Sequence, residues 1–194
     1  MKSLKNLLSL GVAAALGIAT FASTASAEAP SDVKEIKAIQ DRGVLRVGVK
    51  NDVVGFSVKD PLSGEYTGFE DTLATLIAKE IGEDVEVEFT AVTAATRSEL
   101  IDSGDLDCVL ATFTITPERK KNWDFSTPYY QDAVSVLVEN KSEIHHLKDL
   151  LGKTVGVSSG STSAKALVQA MIDNKILDGK NFNADKFDPA TWTE

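Results

Sequence analysis

Apolar and polar positions follow two different periods along the chain after residue 43. Short runs with strand character occupy residues 44–49, 85–89, 107–114, 133–138 and 153–157, and a hairpin is predicted at 55–68 around the turn Asp-Pro-Leu-Ser-Gly. Apolar residues at helical spacing predict helices at 69–81, 96–104, from 116 onward, and 164–172. Strands that alternate with helices predict an α/β fold with a largely parallel sheet.

Two helix starts have capping signals. Thr96 and Glu99 have the Thr-x-x-Glu spacing of a capping box, in which two side chains bond to each other's backbone N–H groups. Thr116 precedes Pro117, and a capping residue followed by proline is typical of a first helical turn. Both helices are therefore expected to begin directly after a strand.

The first residues have the pattern of a secretory signal peptide. Lys2 and Lys5 precede an apolar stretch at 7–21, and residues 25–27, Ala-Ser-Ala, have the small-x-small pattern of a cleavage site. The stretch is shorter than the roughly 20 apolar residues of a membrane span. We expect cleavage after Ala27 and export to the periplasm or the extracellular space. The region has no cysteine for a lipid anchor.

The negative net charge of the chain excludes large anionic partners. Removal of residues 1–27 leaves 18 basic against 29 acidic side chains, a net charge near −11, where the whole chain has −9. Such a field repels nucleic acid and anionic membrane surfaces. A basic residue at a predicted site is informative against this background.

Few residues have the pattern of catalytic or metal sites. Cys108, the only cysteine, lies in an apolar run, so we interpret it as a buried small side chain that forms no internal disulfide. His145 and His146 are adjacent in a polar stretch, which indicates a surface loop or helix start more than metal ligation. The chain has no Gly-x-Ser-x-Gly, His-Glu-x-x-His, Walker or Gly-x-Gly-x-x-Gly pattern. We expect no cofactor and no metal.

Basic residues follow the predicted strands at one edge of the sheet. Lys50 comes after strand 44–49, and Arg97 and Arg119 lie in the first turns of two predicted helices. Ligands of open α/β sheets bind outside the carboxyl ends of the strands. A cation in the first helical turn is repelled by the positive end of the helix dipole, and a neighbouring anion compensates this repulsion. These positions therefore predict an anion site.

A carboxylate fits this edge better than a phosphate. Arginine offers a planar fork for a carboxylate, Thr114 adds a hydroxyl and an N–H, and Thr162 adds an N–H from the other side of a cleft. Two alternatives stay open. The arginines could be solvated or paired with acids such as Glu99 and Glu118, and Ser-Ser-Gly-Ser-Thr at 158–162 could be an ordinary turn with a helix cap.

Several strings resemble a known family. They are RVGVKND, GEYTGFE, ATFTITPER with DFSTPYY, and LKDLLGKTVGVSSGSTSAKAL, between about residues 34 and 162. They look like the extracytoplasmic solute-binding proteins of family 3, the amino-acid receptors of ABC importers. The resemblance implies a two-lobe periplasmic binding protein type II fold that closes around one amino acid. The expected order is an N-terminal extension or helix at 28–42, lobe 1 at 43–132, a crossing strand at 133–138 and part of lobe 2 at 139–194.

The resemblance also implies roles for the α-groups of a ligand. Arg119 would clamp the α-carboxylate with the hydroxyl and N–H of Thr114. The carbonyl of Thr112 would accept a hydrogen bond from the α-ammonium group. Ser161 and Thr162, at the start of the last helix, would complete the carboxylate cradle.

Lys50 and Arg97 match positions where acidic-amino-acid receptors of the family have cations. The resemblance thus implies a side-chain carboxylate, and we expect glutamate or aspartate, or else glutamine. The expected partners are the free amino acid and a membrane ABC permease, with the protein itself a monomer.

Departures from the family pattern leave other interpretations open. The family usually reads Gly-Phe-Glu-Val-Asp-Leu-Ala where residues 68–74 read GFEDTLA, and Val53 and Thr93 replace stacking aromatics of several relatives. The lobe 2 aspartate that holds the ammonium group would lie beyond residue 194, so we expect a shortened version of a longer protein. Alternatives are a non-functional receptor fragment, a sensor module, or an enzyme like the cyclohexadienyl dehydratases, which resemble this family.

Overall fold

The computed structural model describes residues 33–179, so the predicted signal peptide at 1–27 lies outside the described residues. The helices are α1 (Lys34–Arg42), α2 (Phe69–Ile81), α3 (Arg97–Asp102) and α4 (Ser163–Asp173). The strands are β1 (Val44–Val49), β2 (Asp52–Val53), β3 (Ser57–Lys59), β4 (Tyr66–Thr67), β5 (Glu86–Ala91) and β6 (Cys108–Leu110). Single 3₁₀ turns lie at Arg119–Lys121 and Leu147–Leu150.

A parallel sheet of order β5-β1-β6 forms the centre of the fold. Val47 of β1 lies opposite Phe89 of β5 and Cys108 of β6. Helix α2 packs against β1 and β5. Leu45, Val47 and Val49 are at most 2% exposed, as expected for the central strand of a covered parallel sheet. The predicted α/β fold is confirmed.

A small antiparallel sheet follows β1 along the chain. Strands β3 and β4 pair with Val58 opposite Thr67, which confirms the predicted hairpin, and β2 adds a third strand. The turn is held by Asp60, whose Oδ1 accepts hydrogen bonds from the backbone N–H groups of Leu62 and Ser63. This sheet leads the chain directly into α2.

Helix α2 has the bounds that the sequence predicts. It starts after Gly68, whose φ of 157° favours glycine, and a Cβ there would lie 2.2 Å from the carbonyl oxygen of Phe56. The buried face includes Ala74 and Ala78, with Leu73, Ile77 and Ile81 partly buried beside them, whereas Leu76 is 55% exposed. The face also includes the acids Glu70 and Asp71 in the first turn. Two carboxyl groups are therefore buried where the chain passes from the hairpin to the helix.

Three predicted strands differ from the structure. Strand 107–114 is shorter, at Cys108–Leu110, and the segments 133–138 and 153–157 form no strand. A strand persists only where a neighbour takes its backbone hydrogen bonds. Within residues 33–179 no neighbouring strand pairs with either segment, and Leu137 is 98% exposed.

The predicted helix after Thr116 is also shorter than expected. Only a 3₁₀ turn forms at Arg119–Lys121, although the Thr116 hydroxyl accepts a hydrogen bond from the Arg119 N–H at 3.2 Å, as a cap does. Residues 118–122 read Glu-Arg-Lys-Lys-Asn and offer no apolar face to bury. Most helical stability comes from such a face, so the helix does not extend.

The cap of α3 lies three positions earlier than predicted, at Thr93. Thr96 has no capping hydrogen bond to its own helix, so the Thr96–Glu99 capping box is wrong. Instead, Thr93 and Thr96 exchange bonds: each N–H donates to the other's hydroxyl, at 3.0 and 3.1 Å. The reciprocal arrangement is that of a capping box, with Thr93 as the capping residue.

Residues 139–179, the second part of the chain, pack helix α4 against a loop segment. Helix α4 confirms the prediction at 164–172, and its residues Leu167 and Met171 cluster with Leu150. Among the described helices, none has the length and apolar character needed to cross a membrane.

Candidate functional site

Two arginines lie against the same aromatic ring. The Cζ atom of Arg97 lies 3.9 Å from the centroid of the Phe113 ring, and that of Arg119 lies 4.5 Å from it. Guanidinium groups at these distances interact with the ring by cation–π attraction. Two residues from different predicted helices therefore meet at one place, as the sequence predicted for a shared edge of the sheet.

Arg97 is buried, with 3% of its surface exposed. Its Nη1 donates to the carbonyl oxygens of Ala111 at 2.6 Å and Thr112 at 3.3 Å, whereas its Nε is buried without a hydrogen-bond partner. Burial, and then repulsion from Arg119, lower the pKa of Arg97 to about 10, although Glu70 opposes the shift. Arg97 is still charged at neutral pH, but its charged form is less stable than that of an arginine in water.

Arg119 connects the two parts of the chain. Its Nη1 donates to the carbonyl oxygen of Thr114 at 2.7 Å and its Nη2 to that of Gly160 at 2.9 Å. Burial lowers the pKa of Arg119. Within residues 33–179, neither Arg97 nor Arg119 forms an ion pair with a carboxylate. The predicted alternative of pairing with Glu99 or Glu118 is therefore wrong.

A buried glutamate fixes the backbone beside the arginines. Oε1 of Glu70 accepts hydrogen bonds from the Thr112 N–H and the Tyr129 hydroxyl, each at 2.7 Å. The bond holds Thr112 at φ 48°, a left-handed conformation that is uncommon outside glycine. Burial, and then the bond to Glu70, raise the pKa of Tyr129. Glu70 thus supports the turn whose carbonyl groups bind Arg97.

The loop at 158–162 lies close to the first part of the chain. Gly160 has φ +75°, and a Cβ there would lie 2.5 Å from the carbonyl oxygen of Ala94. The Ser161 hydroxyl accepts a hydrogen bond from the Ser163 N–H at 3.3 Å. Thr162 precedes α4 and makes no capping hydrogen bond with its side chain. The loop before α4 therefore lies beside Arg119, whose Nη2 donates to the Gly160 carbonyl oxygen.

Lys50 is paired with an acid of its own. Its Nζ is 3.6 Å from Oδ1 of Asp52, in a partly exposed ion pair. No hydrogen bond or ion pair of the described side chains connects it with Arg97 or Arg119. The structure thus brings together Arg97, Thr112, Thr114, Arg119 and the 158–162 loop, and leaves the contribution of Lys50 as a prediction.

Three residues of this site were missed in the sequence. Glu70 is the buried carboxylate, Phe113 is the ring that both arginines contact, and Tyr129 donates a hydrogen bond to Glu70. Phe113 stands between Thr112 and Thr114 in the same string, so attention to its position would have found it. Glu70 had no such signal, because an acid in a first helical turn is ordinarily an exposed residue that favours the dipole.

The other candidate groups are not part of the site. Cys108 is half-buried, where a buried side chain was predicted, and burial followed by the charge of Asp107 raises the pKa of its thiol to about 12. His145 and His146 are exposed before a 3₁₀ turn, as predicted, and their backbone N–H groups donate to Oδ2 of Asp149. Residues 33–179 contain no cluster of three or more potential metal ligands.

Similar proteins have been solved and characterised. The chain is 37% identical over 159 residues to the glutamine-binding protein of Geobacillus stearothermophilus, covering 81% of this chain and 61% of that protein. A cysteine-binding protein from Campylobacter jejuni has 37% identity and a TM-score of 0.57, covering 61% of this chain and 48% of that one. The ancestral amino acid-binding protein AncCDT-1, described as a precursor of cyclohexadienyl dehydratase, has 43% identity and a TM-score of 0.54, covering 59% and 51%.

The structural neighbours have the type II periplasmic binding protein fold, of which this structure covers part. The chain spans about 61% of the length of the glutamine-binding relative. A sequence profile of the bacterial extracellular solute-binding proteins, family 3, matches residues 45–183. Because the match covers well over half of the chain, and the fold and the quoted strings agree with it, the chain belongs to family 3 of the bacterial extracellular solute-binding proteins.

Proposed function

We propose that this chain is the ligand-binding part of an extracytoplasmic receptor that delivers an acidic amino acid, glutamate or aspartate, to an ABC permease. The observation that carries the proposal is the pair of guanidinium groups on Phe113. Both are at least half-buried, and no carboxylate of the described chain pairs with either. In a chain of net charge −9, this concentration of positive charge favours a small anion.

The electrostatics of Arg97 support this proposal. Its lowered pKa means that burial and the neighbouring Arg119 destabilise its charged form. A bound carboxylate would oppose both effects, since an opposite charge within a few ångströms favours the charged form. Binding energy is thus available to an anion that reaches the pair.

Arg119 would bind the α-carboxylate of the ligand. Its guanidinium now donates to two carbonyl groups, of Thr114 and Gly160, and a carboxylate is a stronger acceptor than a neutral carbonyl. The N–H groups of Ser161 and Thr162 would add donors from the start of α4. The Thr112 carbonyl would accept from the α-ammonium group.

The side chain of the ligand is the finer part of the proposal. Similar proteins are named for binding glutamine and cysteine, and neither ligand has a second carboxylate. Lys50 and Arg97 are the residues that favour an acidic side chain over an amide. Glutamine is therefore the alternative ligand, and affinity for glutamate relative to glutamine is the measurement that separates them.

The enzyme alternative has less support. The similar proteins named above are described as binding proteins, and the ancestral one is a precursor of the dehydratase. We therefore prefer a receptor, which we propose to be a monomer, to an enzyme.

Calorimetric titration of the exported chain with glutamate, aspartate, glutamine and arginine tests the proposal. We expect glutamate or aspartate to bind most tightly. Arg119→Ala should weaken binding by at least about 30-fold, because truncating one partner of a buried charge pair costs roughly 2–5 kcal/mol. Lys120→Ala, an exposed cation beside it, is the matched control and should change binding little.

Two results would count against the proposal in different ways. Tighter binding of glutamine or arginine than of either acid would reject the acidic preference and keep the receptor. Equal binding by the Arg119→Ala and Lys120→Ala variants would reject the arginine pair as the site.

A further inference from the structure

A buried serine makes two short contacts that one proton does not satisfy. The Ser57 hydroxyl oxygen lies 2.5 Å from the carbonyl oxygen of Lys50 and 2.7 Å from Oδ1 of Asp71. Ser57 is fully buried and Asp71 is 5% exposed, so solvent does not replace either contact. A carbonyl and an ionised carboxylate both only accept hydrogen bonds, and a serine hydroxyl has one proton to donate. With Asp71 ionised, one contact would bring two acceptors together without a hydrogen.

A proton on Asp71 resolves this conflict. We propose that Asp71 is protonated in the folded protein and that, with Ser57, it positions Lys50 through two consecutive hydrogen bonds. Oδ1–H of Asp71 donates to the Ser57 hydroxyl oxygen, and the Ser57 hydroxyl donates to the Lys50 carbonyl. Every short contact then contains one hydrogen.

The surroundings of Asp71 favour its neutral form. Oδ2 of Asp71 is buried without a hydrogen-bond partner in the described chain, which would be costly for a charged oxygen. Its neighbours around a cleft of about 220 Å³ include the aromatic rings of Tyr66 and Phe89. Burial raises the pKa of Asp71, and the Ser57 bond only partly opposes the rise.

Charged groups nearby do not reverse this preference. Lys50 and Asp52 pair with each other, and Lys59 lies 5.0 Å from the centre of the Tyr66 ring. The remaining titratable groups on the strands around α2 are Arg46, Tyr66, Glu86, Glu88 and Cys108, and Glu70 precedes Asp71 in α2 itself. Helix α1 contacts the far end of α2, where the Gln40 side chain donates to the carbonyl oxygen of Ile81. None of these groups forms an ion pair with Asp71 in residues 33–179. The first turn of α2 favours a charged acid, whereas burial favours the neutral form.

The two bonds fix the place where β1 ends. The Lys50 carbonyl follows the last residue of β1, and Ser57 begins β3. The two hydrogen bonds, called the Asp71–Ser57–Lys50 relay below, therefore connect the central strand to the hairpin and to α2. Lys50 is one of the cations of the proposed ligand site, and this consequence rests on the proposed function. Asp71 is thus a positioning residue, since it acts through the backbone of Lys50.

The relay predicts a particular dependence of stability on pH. A carboxyl whose pKa is raised on folding contributes stability that is complete below its unfolded pKa of about 3.9 and is lost as the pH rises through the folded pKa. Asp71→Asn has an amide N–H that can donate to Ser57 at every pH. The variant should therefore gain stability relative to the unaltered chain as the pH rises from 4 to 8.

Two measurements test the proposal without any ligand. In carbon-13 NMR of the whole chain, the Asp71 carboxyl should titrate clearly above the ordinary aspartate pKa of about 3.9. In urea unfolding, the difference between Asp71→Asn and the unaltered chain should grow with pH, whereas the exposed control Asp84→Asn should show a constant difference. The NMR titration decides the protonation even where the variant does not fold.

A third measurement concerns Lys50. The glutamate affinity of the unaltered chain should fall as Asp71 ionises, and that of Asp71→Asn should show no such step. An Asp71 carboxyl that titrates at or below about 3.9, or an unfolding difference that is independent of pH, would overturn the protonated relay. Normal titration of Asp71 together with tight glutamate binding would reject the relay and leave the proposed receptor intact.

Discussion

Within residues 33–179, three ionisable side chains are buried with one polar atom unpaired. They are Glu70, Asp71 and Arg97, each at most 5% exposed, and the unpaired atoms are Oε2, Oδ2 and Nε. A buried polar group without a partner costs about 1–3 kcal/mol. Departures of this kind from good packing are expected at functional sites. Glu70 and Arg97 bond to the backbone of Thr112, and Asp71 is connected to the backbone of Lys50 through Ser57.

Asp107 shows the opposite case, a partly buried acid whose two carboxylate oxygens both accept hydrogen bonds. It accepts hydrogen bonds from the Arg42 side chain and from both the backbone and side chain of Arg46. Burial would raise the pKa of Asp107, but the bonds from Arg46 and the charges of both arginines lower it. The pairing joins β1 to the segment that leads into β6.

We predict that Asp107→Asn destabilises the fold by about 1 kcal/mol at pH 7, a discounted value because both arginine side chains are about a third exposed. The folded pKa is lowered, so this stability is present above the unfolded pKa of about 3.9 and is lost as the pH falls through the folded pKa. Urea unfolding at several pH values measures it. The difference should shrink below pH 4, and a difference of the same size at pH 3 would contradict the role of the charge.

At the scale of single elements, the start of α3 decides where Arg97 lies. Thr93 and Thr96 close the reciprocal cap, and the backbone N–H of Arg97 donates to the Thr93 carbonyl at 3.2 Å. Helix α3 has only six residues, too short to be stable without its cap and its packing. The cap therefore holds the arginine under Phe113.

We predict that Thr93→Ala lowers the free energy of unfolding by about 1 kcal/mol, the usual cost of losing a capping hydroxyl. Chemical denaturation measures the change. Glu99→Ala is the control, since Glu99 belongs to the capping box that the sequence predicted and the structure does not form. A larger loss from Glu99→Ala than from Thr93→Ala would restore the sequence-based cap.

At the scale of the whole molecule, the loop at 158–162 joins the second part of the chain to the first. Gly160 approaches the turn at Ala94, and its carbonyl oxygen accepts from Arg119. The contact therefore requires both a missing side chain and a left-handed backbone at one position. A glycine at such a position is not replaceable without moving one of the two parts.

We predict that Gly160→Ala separates the loop from the turn at Ala94, because its Cβ would lie 2.5 Å from the Ala94 carbonyl oxygen. Hydrogen exchange should become faster in residues 158–162 and at the start of α4. Gly156→Ala lies in the same segment, where a Cβ meets nothing within 4 Å, and is the matched control. Equal exchange in the two variants would show that the contact does not hold the loop.

The sequence predicted the features that depend on neighbouring residues and missed those that depend on residues far apart in the chain. The periodicity of residues 69–81 gave the helix its correct bounds, and the turn at Asp60 gave the hairpin, because both depend on neighbouring residues. The strands at 133–138 and 153–157 were wrong, since a strand also needs a partner that composition does not reveal.

The sequence by itself determined the α/β order of elements, the family strings and the placement of Arg97 and Arg119 after strands of one sheet. Only the tertiary structure decided that the two guanidinium groups meet on Phe113, that Glu70 holds Thr112, and that Ser57 contacts both Lys50 and Asp71. Local order follows from spacing along the chain. Shared partners and buried protons follow from which distant side chains the packed sheet and helices bring within hydrogen-bond distance.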